Sequence, residues 1–298
     1  MLTLLYRGTL ASCNYSCTYC PFAKRRDSRA TLARDAAELV RFVDWAARQA
    51  QELRVLFTPW GEALVRRHYR EAMLKLAGMP HVSQVAAQTN LAAPLGWLAD
   101  APAGKLALWC TYHPSQTSLQ RFVERCERLS ALGVRYSVGM VAMREHFDDI
   151  EALRATLPAS THLWLNAYDQ RGSGYYTQAD LSWLDALDPW FRHGIEGTAS
   201  RGKRCRTGED VFSVDGAGEV QRCHFIPKRL GNLYVDGIDA MAASRPCSRF
   251  KCDCFIGYAH REDLPLHEQF GEGLLARIPL PGHSGLGKPM TVPEPASS

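Results

Sequence analysis

Leu2-Thr3-Leu4-Leu5-Tyr6-Arg7-Gly8-Thr9-Leu10-Ala11-Ser12-Cys13-Asn14-Tyr15-Ser16-Cys17-Thr18-Tyr19-Cys20 opens the chain with a short apolar run followed directly by three cysteines spaced C-x3-C-x2-C. Three thiolates are one too few to saturate a metal site. A [4Fe–4S] cluster normally takes a thiolate on each iron, so a loop offering three leaves one iron open to an outside ligand. Zinc favours two close pairs of ligands, and no second pair lies near this loop, which makes a zinc knuckle or a disulfide pair the weaker reading.

Outward from the loop, the pattern alternates strand with helix. Leu2 to Tyr6 is closed by Gly8, and Leu32, Ala36, Leu39, Phe42, Val43 and Ala46 then recur at helical spacing, one βα unit with the cysteines between its parts. Arg54 to Phe57 precedes a helix over 63–77, and Val82 to Gln88 precedes a short helix over 95–99. Lys105 to Cys110 is followed by an amphipathic stretch with Leu119, Phe122, Val123, Cys126, Leu129 and Leu132 on one stripe, stopped by Gly133. Val134 to Met140 leads to a helix over 147–157, and His162 to Leu165 leads to one over 177–187. Six such units imply an α/β fold with parallel strands and crossover helices, as a partial barrel or an open doubly wound sheet.

Composition limits the class. With 298 residues, 46% of them hydrophobic, the chain can bury a large core. No apolar run approaches the roughly 20 residues that span a bilayer, and the start is too short and too soon broken for a signal peptide, so the expected location is the cytoplasm, with no membrane partner. In that compartment ten cysteines stay reduced, and their clustering points to metal. The net charge of +4 is modest, with Lys24-Arg25-Arg26 beside the cysteine loop, and nothing demands nucleic acid.

C-x3-C-x-aromatic-C, with Tyr19 as the aromatic, resembles the signature of the radical S-adenosylmethionine superfamily. The resemblance implies a (β/α)6 partial TIM barrel, with the cluster loop after the first strand. It also implies a [4Fe–4S] cluster on Cys13, Cys17 and Cys20, whose open iron binds S-adenosyl-L-methionine (SAM). An electron from a reductant such as flavodoxin or ferredoxin then cleaves SAM to a 5'-deoxyadenosyl radical that abstracts a substrate hydrogen. The cofactor carries this chemistry, and no side chain beyond the cluster and bound SAM is needed as a catalyst.

Further segments fit the same resemblance. Thr58-Pro59-Trp60-Gly61-Glu62 is similar to the family's Gly-Gly-Glu segment, with Trp60 replacing the first glycine, and implies that Gly61 and Glu62 contact the amino group of SAM. Gln88-Thr89-Asn90 is similar to the Thr-Asn-Gly stretch, which assigns Asn90 to ribose or substrate. Gly139-Met140-Val141-Ala142-Met143 resembles the segment packed against adenine, which assigns Met143 there, and Asn166 at the end of the sixth strand is expected to reach the cofactor. His113 is a candidate proton shuttle or substrate contact, and residues 169–176 a candidate substrate loop. Cys110 and Cys126 read as small buried hydrophobes.

Half of the cysteines fall within residues 205–254: Cys205, Cys223, Cys247, Cys252 and Cys254. Val211 to Gly216 followed by Glu219 to Gln221 reads as a hairpin around an Asp-Gly turn, which brings Cys205 and Cys223 together. The array resembles the SPASM auxiliary-cluster domain in its shortened form, twitch, and implies a second [4Fe–4S] cluster on Cys205, Cys223, Cys252 and Cys254, with Cys247 as a fifth candidate. A structural zinc site made from four of these five cysteines is the competing reading, with His224 beside Cys223 as a hydrogen-bond donor to a ligand or as a zinc ligand itself. The expected division is a partial barrel over 1–195, a small cysteine-rich twitch-type domain over 196–260, and a partly disordered tail over 261–298 that packs back on the barrel as far as Pro279. By family analogy the substrate is a peptide or protein. The alternative is a non-catalytic Fe–S or zinc protein that senses redox state or docks a partner.

Overall fold

β1 (Leu2–Arg7) has parallel partners on both sides, β2 (Leu53–Phe57) and β8 (Val211–Asp215), and so lies within a sheet. The computed structural model describes residues 1–22, 25–168 and 174–282. Within these, β1, β2, β3 (Val82–Thr89), β4 (Leu106–Thr111), β5 (Arg135–Val141) and β6 (Leu163–Asn166) run parallel in chain order. β8 continues antiparallel into β9 (Glu219–Cys223) and β10 (Ile226–Asn232), giving nine strands in the order β10-β9-β8-β1-β2-β3-β4-β5-β6 among the described residues. The α/β class and the large parallel sheet are as expected from the alternating pattern. Not foreseen is the place of the hairpin, which adds to the free edge of β1.

Helices α1 (Arg29–Ala47), α2 (Arg67–Gly78), α3 (Leu119–Ala131), α4 (Phe147–Thr156) and α5 (Gln178–Leu187) follow their strands, while a 3-10 turn over Gly96–Asp100 joins β3 to β4. The helix expected over 63–77 is split. Glu62 accepts the Leu64 amide and caps a 3-10 turn over Ala63–Val65, and the chain passes through an extended Arg66 before α2 begins. Gly133 ends α3 at φ +66, a left-handed conformation that glycine adopts without a side-chain clash.

Alternation along the strands makes two cores. One face carries Leu4, Tyr6, Val55, Phe57, Leu108 and Met140 against the helices, and Cys110 and Cys126 pack there as small buried hydrophobes. The opposite face carries Leu5, Leu56, Ala86, Trp109, Trp164 and Val211, and the segment 255–278 fills it. That segment holds α6 (Phe255–Tyr258), α7 (Leu266–Phe270) and a 3-10 turn over Gly271–Ala276, so it packs back on the sheet as its apolar residues suggest. Burying side chains such as Phe270 and Leu274 stabilises by about 2 kcal/mol each. Two short strands, β7 (Thr198–Ala199) and β11 (Lys251–Cys252), pair antiparallel outside the large sheet. Among the described residues no helix is long and apolar enough to cross a membrane.

Candidate metal and cofactor site

The backbone leading to Cys13 is pinned by two acids, one buried and one half-buried. Asp35, fully buried, accepts the Leu10 amide at 3.0 Å and is itself bonded to His68 and Tyr69. Asp27 accepts the Ala11 and Ser12 amides at 2.9 and 2.7 Å; burial alone would raise its carboxyl, yet these donors hold it below the usual range. Arg66 donates to Ser12 Oγ at 2.7 Å, and the Gly61 and Glu62 amides donate to the Leu10 and Ser12 carbonyls at 3.2 Å each. The segment after β2 therefore lies backbone to backbone against the cysteine loop. Gly61 has a steric reason to be glycine that the sequence resemblance did not supply.

The three thiols share one neighbourhood. Burial pushes the Cys17 thiol up to about 11, with a hydrogen bond from Tyr19 opposing it and Cys20 and Cys13 adding to it. Burial likewise raises Cys13, and Glu62 and Cys20 act in the same direction against the Tyr15 amide. Buried thiolates that repel one another need a compensating cation, and a cluster of iron supplies it, so the donor set fits a [4Fe–4S] group. Among the described residues no three His, Cys, Asp or Glu side chains draw together to grip a single metal ion. Cys13 Sγ also receives the Tyr15 amide at 3.4 Å and Asn90 Nδ2 at 3.6 Å.

The other candidates fall in three places. Glu62 is buried beside the loop, where its carboxylate accepts Thr89 Oγ1 at 2.8 Å, the Asn90 amide at 2.7 Å and the Leu64 amide at 3.1 Å; burial raises it and these donors pull it back. Asn90 links β3 to the loop through Cys13 and through Asn14 at 2.9 Å. Tyr19 and Met143 pack with Cys17 in a small cluster of their own, and Tyr19 stacks on His113 with its hydroxyl 2.7 Å from Nδ1. That nitrogen also lies 3.5 Å from Cys17 Sγ, and burial draws His113 down to about 4, so the ring is neutral at pH 7. Asn166 ends β6 in register with Val141, which packs against that cluster, and its Oδ1 accepts Arg277 Nη1 at 3.1 Å.

Arg277 is the residue sequence reasoning missed. It sits in the left-handed region at φ 51, pairs with Asp188 at 3.2 Å with both side chains buried, and lies over the rings of Trp109, Trp164 and Phe255. A lone charge between Ala276 and Ile278 was the only sign of it. Of the loop expected over 169–176, residues 169–173 lie outside the described residues, as does Lys24; Tyr176 donates to the Ala142 carbonyl at 2.7 Å.

The second cysteine group gathers around Cys252. Burial pushes that thiol up to about 12, and Cys254, Cys223, Cys205 and Cys247 all add to the rise. Cys223 ends β9, Cys252 ends β11, and Cys254 precedes α6. Cys205 receives Thr207 Oγ1 at 3.2 Å. A Cβ on Gly257 would lie 2.7 Å from Cys252 Sγ, so glycine in α6 is what lets the sulfur approach. The hairpin does bring Cys205 and Cys223 within electrostatic reach of each other. His224 bonds Ser213 Oγ through Nδ1, and among the described residues its buried Nε2 has no partner.

No protein-family model matches the chain, and no curated protein matches it in sequence. Solved structures do match. Native anSMEcpe with bound AdoMet, that is SAM, superposes with a TM-score of 0.55 at 15% identity, covering 81% of this chain and 80% of that one. The same protein with bound AdoMet and the Cp18Cys peptide gives 0.52 at 16% identity, covering 80% and 79%. The chain shares the fold of these AdoMet-bound structures. At this identity the likeness speaks for the fold alone, a mixed α/β architecture with a large parallel sheet.

Proposed function

We propose that this chain is a radical SAM enzyme with two iron–sulfur clusters. One observation carries the reading: three thiols on a loop braced by Asp27, Asp35 and Gly61 stand beside a buried carboxylate, Glu62. Cys13, Cys17 and Cys20 would hold the catalytic cluster. With SAM bound at its open iron and an electron from flavodoxin or ferredoxin, the cluster supplies reductive cleavage of SAM and a 5'-deoxyadenosyl radical for hydrogen abstraction.

The protein's part is to hold and orient. Glu62 offers an anion to the ammonium group of SAM, its geometry fixed by Thr89, Asn90 and Leu64. Asn90 braces the loop, while Tyr19 and Met143 give the site an apolar wall. In the same reading residues 1–195 form the partial barrel, and four of Cys205, Cys223, Cys247, Cys252 and Cys254 hold an auxiliary [4Fe–4S] cluster in a twitch-type unit. A peptide bound to the similar anSMEcpe supports a peptide or protein substrate here.

Anaerobic reconstitution with iron and sulfide, followed by dithionite and SAM, tests the reading. 5'-Deoxyadenosine is expected from the wild type and not from Cys17→Ala. Its absence from the wild type under all reducing conditions would favour a non-catalytic metal protein that senses redox state or docks a partner.

A further inference from the structure

Leu5, Leu56 and Ala86 stand in register on adjacent strands and belong to the core on the face away from the helices. Two residues further along each strand, alternation puts Arg7, Thr58 and Gln88 on that same face at the carboxyl ends. Hydrophobic layers give way here to donors.

Arg7 is a half-buried cation without a carboxylate. Its Nε donates to the Thr58 carbonyl at 3.2 Å, and the Trp60 ring covers one face of the guanidinium at 4.1 Å. Among the described residues neither terminal nitrogen has a hydrogen-bond partner and no acid pairs with it, whereas Arg277, Arg261 and Arg206 each have an aspartate. Burial lowers Arg7 to about 10, with Cys254 acting in the opposite direction. Gln88 is held by Thr58 Oγ1, which donates to its carboxamide oxygen, and among the described residues its NH2 group has no hydrogen-bond partner. Trp60 and the Thr58 carbonyl both contact the guanidinium.

We propose that Arg7 and Gln88 form a subsite for a carboxylate of the substrate, such as an acidic side chain or the free carboxyl terminus of a peptide. The terminal Nη edge of the planar fork, two strands from the Gln88 amide on the same face, offers donors that match the two oxygens of a carboxylate. Arg7 lies on β1 beside β8, whose hairpin partner β9 ends at Cys223 of the second cysteine group, while Glu62 and Asn90 adjoin the first. The subsite thus lies on the side of the substrate rather than of SAM. This inference rests on the enzymatic reading for the word substrate, but its test does not depend on turnover.

The experiment is ligand-detected NMR on the reconstituted wild type with two probes, N-acetyl-trialanine as the free carboxylate and as its carboxyl-terminal amide, each with and without saturating SAM. The carboxylate is expected to bind at least about tenfold tighter than the amide, with SAM present or absent. Arg7→Met is expected to erase that preference, Arg7→Lys to keep part of it, and Gln88→Leu, on a different strand, to reduce it. Equal affinity of the two probes for the wild type overturns the proposal. Displacement of the carboxylate by SAM also overturns it, by assigning the subsite to the carboxylate of SAM. Failure of the wild type to make 5'-deoxyadenosine tells against the enzymatic reading alone and leaves the probe preference to be read by itself.

Discussion

A Cβ placed on Gly61 would fall 2.1 Å from the Ser12 carbonyl oxygen. The approach joins the segment after β2 to the residue before Cys13, and a methyl group there must push the two backbones apart. Overpacking of this kind costs about 1–3 kcal/mol. Gly61→Ala is therefore expected to take up less iron and sulfide per chain than the wild type in anaerobic reconstitution and to unfold at lower denaturant. Wild-type iron content in that variant would show that the contact does not position the loop.

Arg277 and Asp188 form an ion pair that is closed to solvent. Burial raises the Asp188 carboxyl, and Arg277 with the Leu165 and Trp190 amides opposes the rise. Arg277→Met leaves the carboxylate without its cation and should destabilise by about 3–5 kcal/mol in chemical denaturation, whereas Arg277→Met with Asp188→Asn should recover part of that loss. Additive losses would mean that the pair is not energetically coupled.

His162 supplies a pH signature. Burial, then Arg277 and Arg154, lowers it to about 3, against roughly 6.5 in an unfolded chain. Between these values the unfolded chain binds a proton that the folded chain excludes, so the contribution is intact above pH ~6.5 and lost progressively as pH falls toward 3. His162→Phe should flatten this part of the stability profile between pH 4 and about 6.5, read as denaturation midpoints at several pH values. An unchanged slope would contradict the buried neutral state.

The second cysteine group makes a count. If Cys252 is its hub, Cys252→Ser should lower the iron content from about eight to about four atoms per chain while keeping the SAM-responsive cluster. Single serine variants of the other four should separate three ligands from one spare thiol. Zinc in place of iron at these residues, found by elemental analysis, would overturn the auxiliary-cluster reading.

Much of the fold is legible in the sequence. Short-range patterns carried it: the 3.6-residue stripe from Leu119 to Leu129, the apolar runs of β1 to β6, and the spacing of Cys13, Cys17 and Cys20. What the pattern could not give are contacts set by register and long separation. β8 reads as one arm of a hairpin, yet both its faces are buried because it pairs with β1, 208 residues away at Thr3 and Val211. Arg7 reads as the residue that ends an apolar run, and only its ladder position beside Thr58 gives it a face. Arg277 could not be matched to Asp188 because nothing local links a 3-10 turn to the end of α5.

The central claim is that Cys13, Cys17 and Cys20 hold a cluster whose fourth iron is free to bind SAM. Pulsed ENDOR of the reduced, reconstituted protein with SAM labelled with 15N in the amino group and 17O in the carboxylate tests it directly. Hyperfine coupling to both labels, lost in Cys17→Ala, is the predicted result. A reduced cubane without coupling to either label would contradict the account.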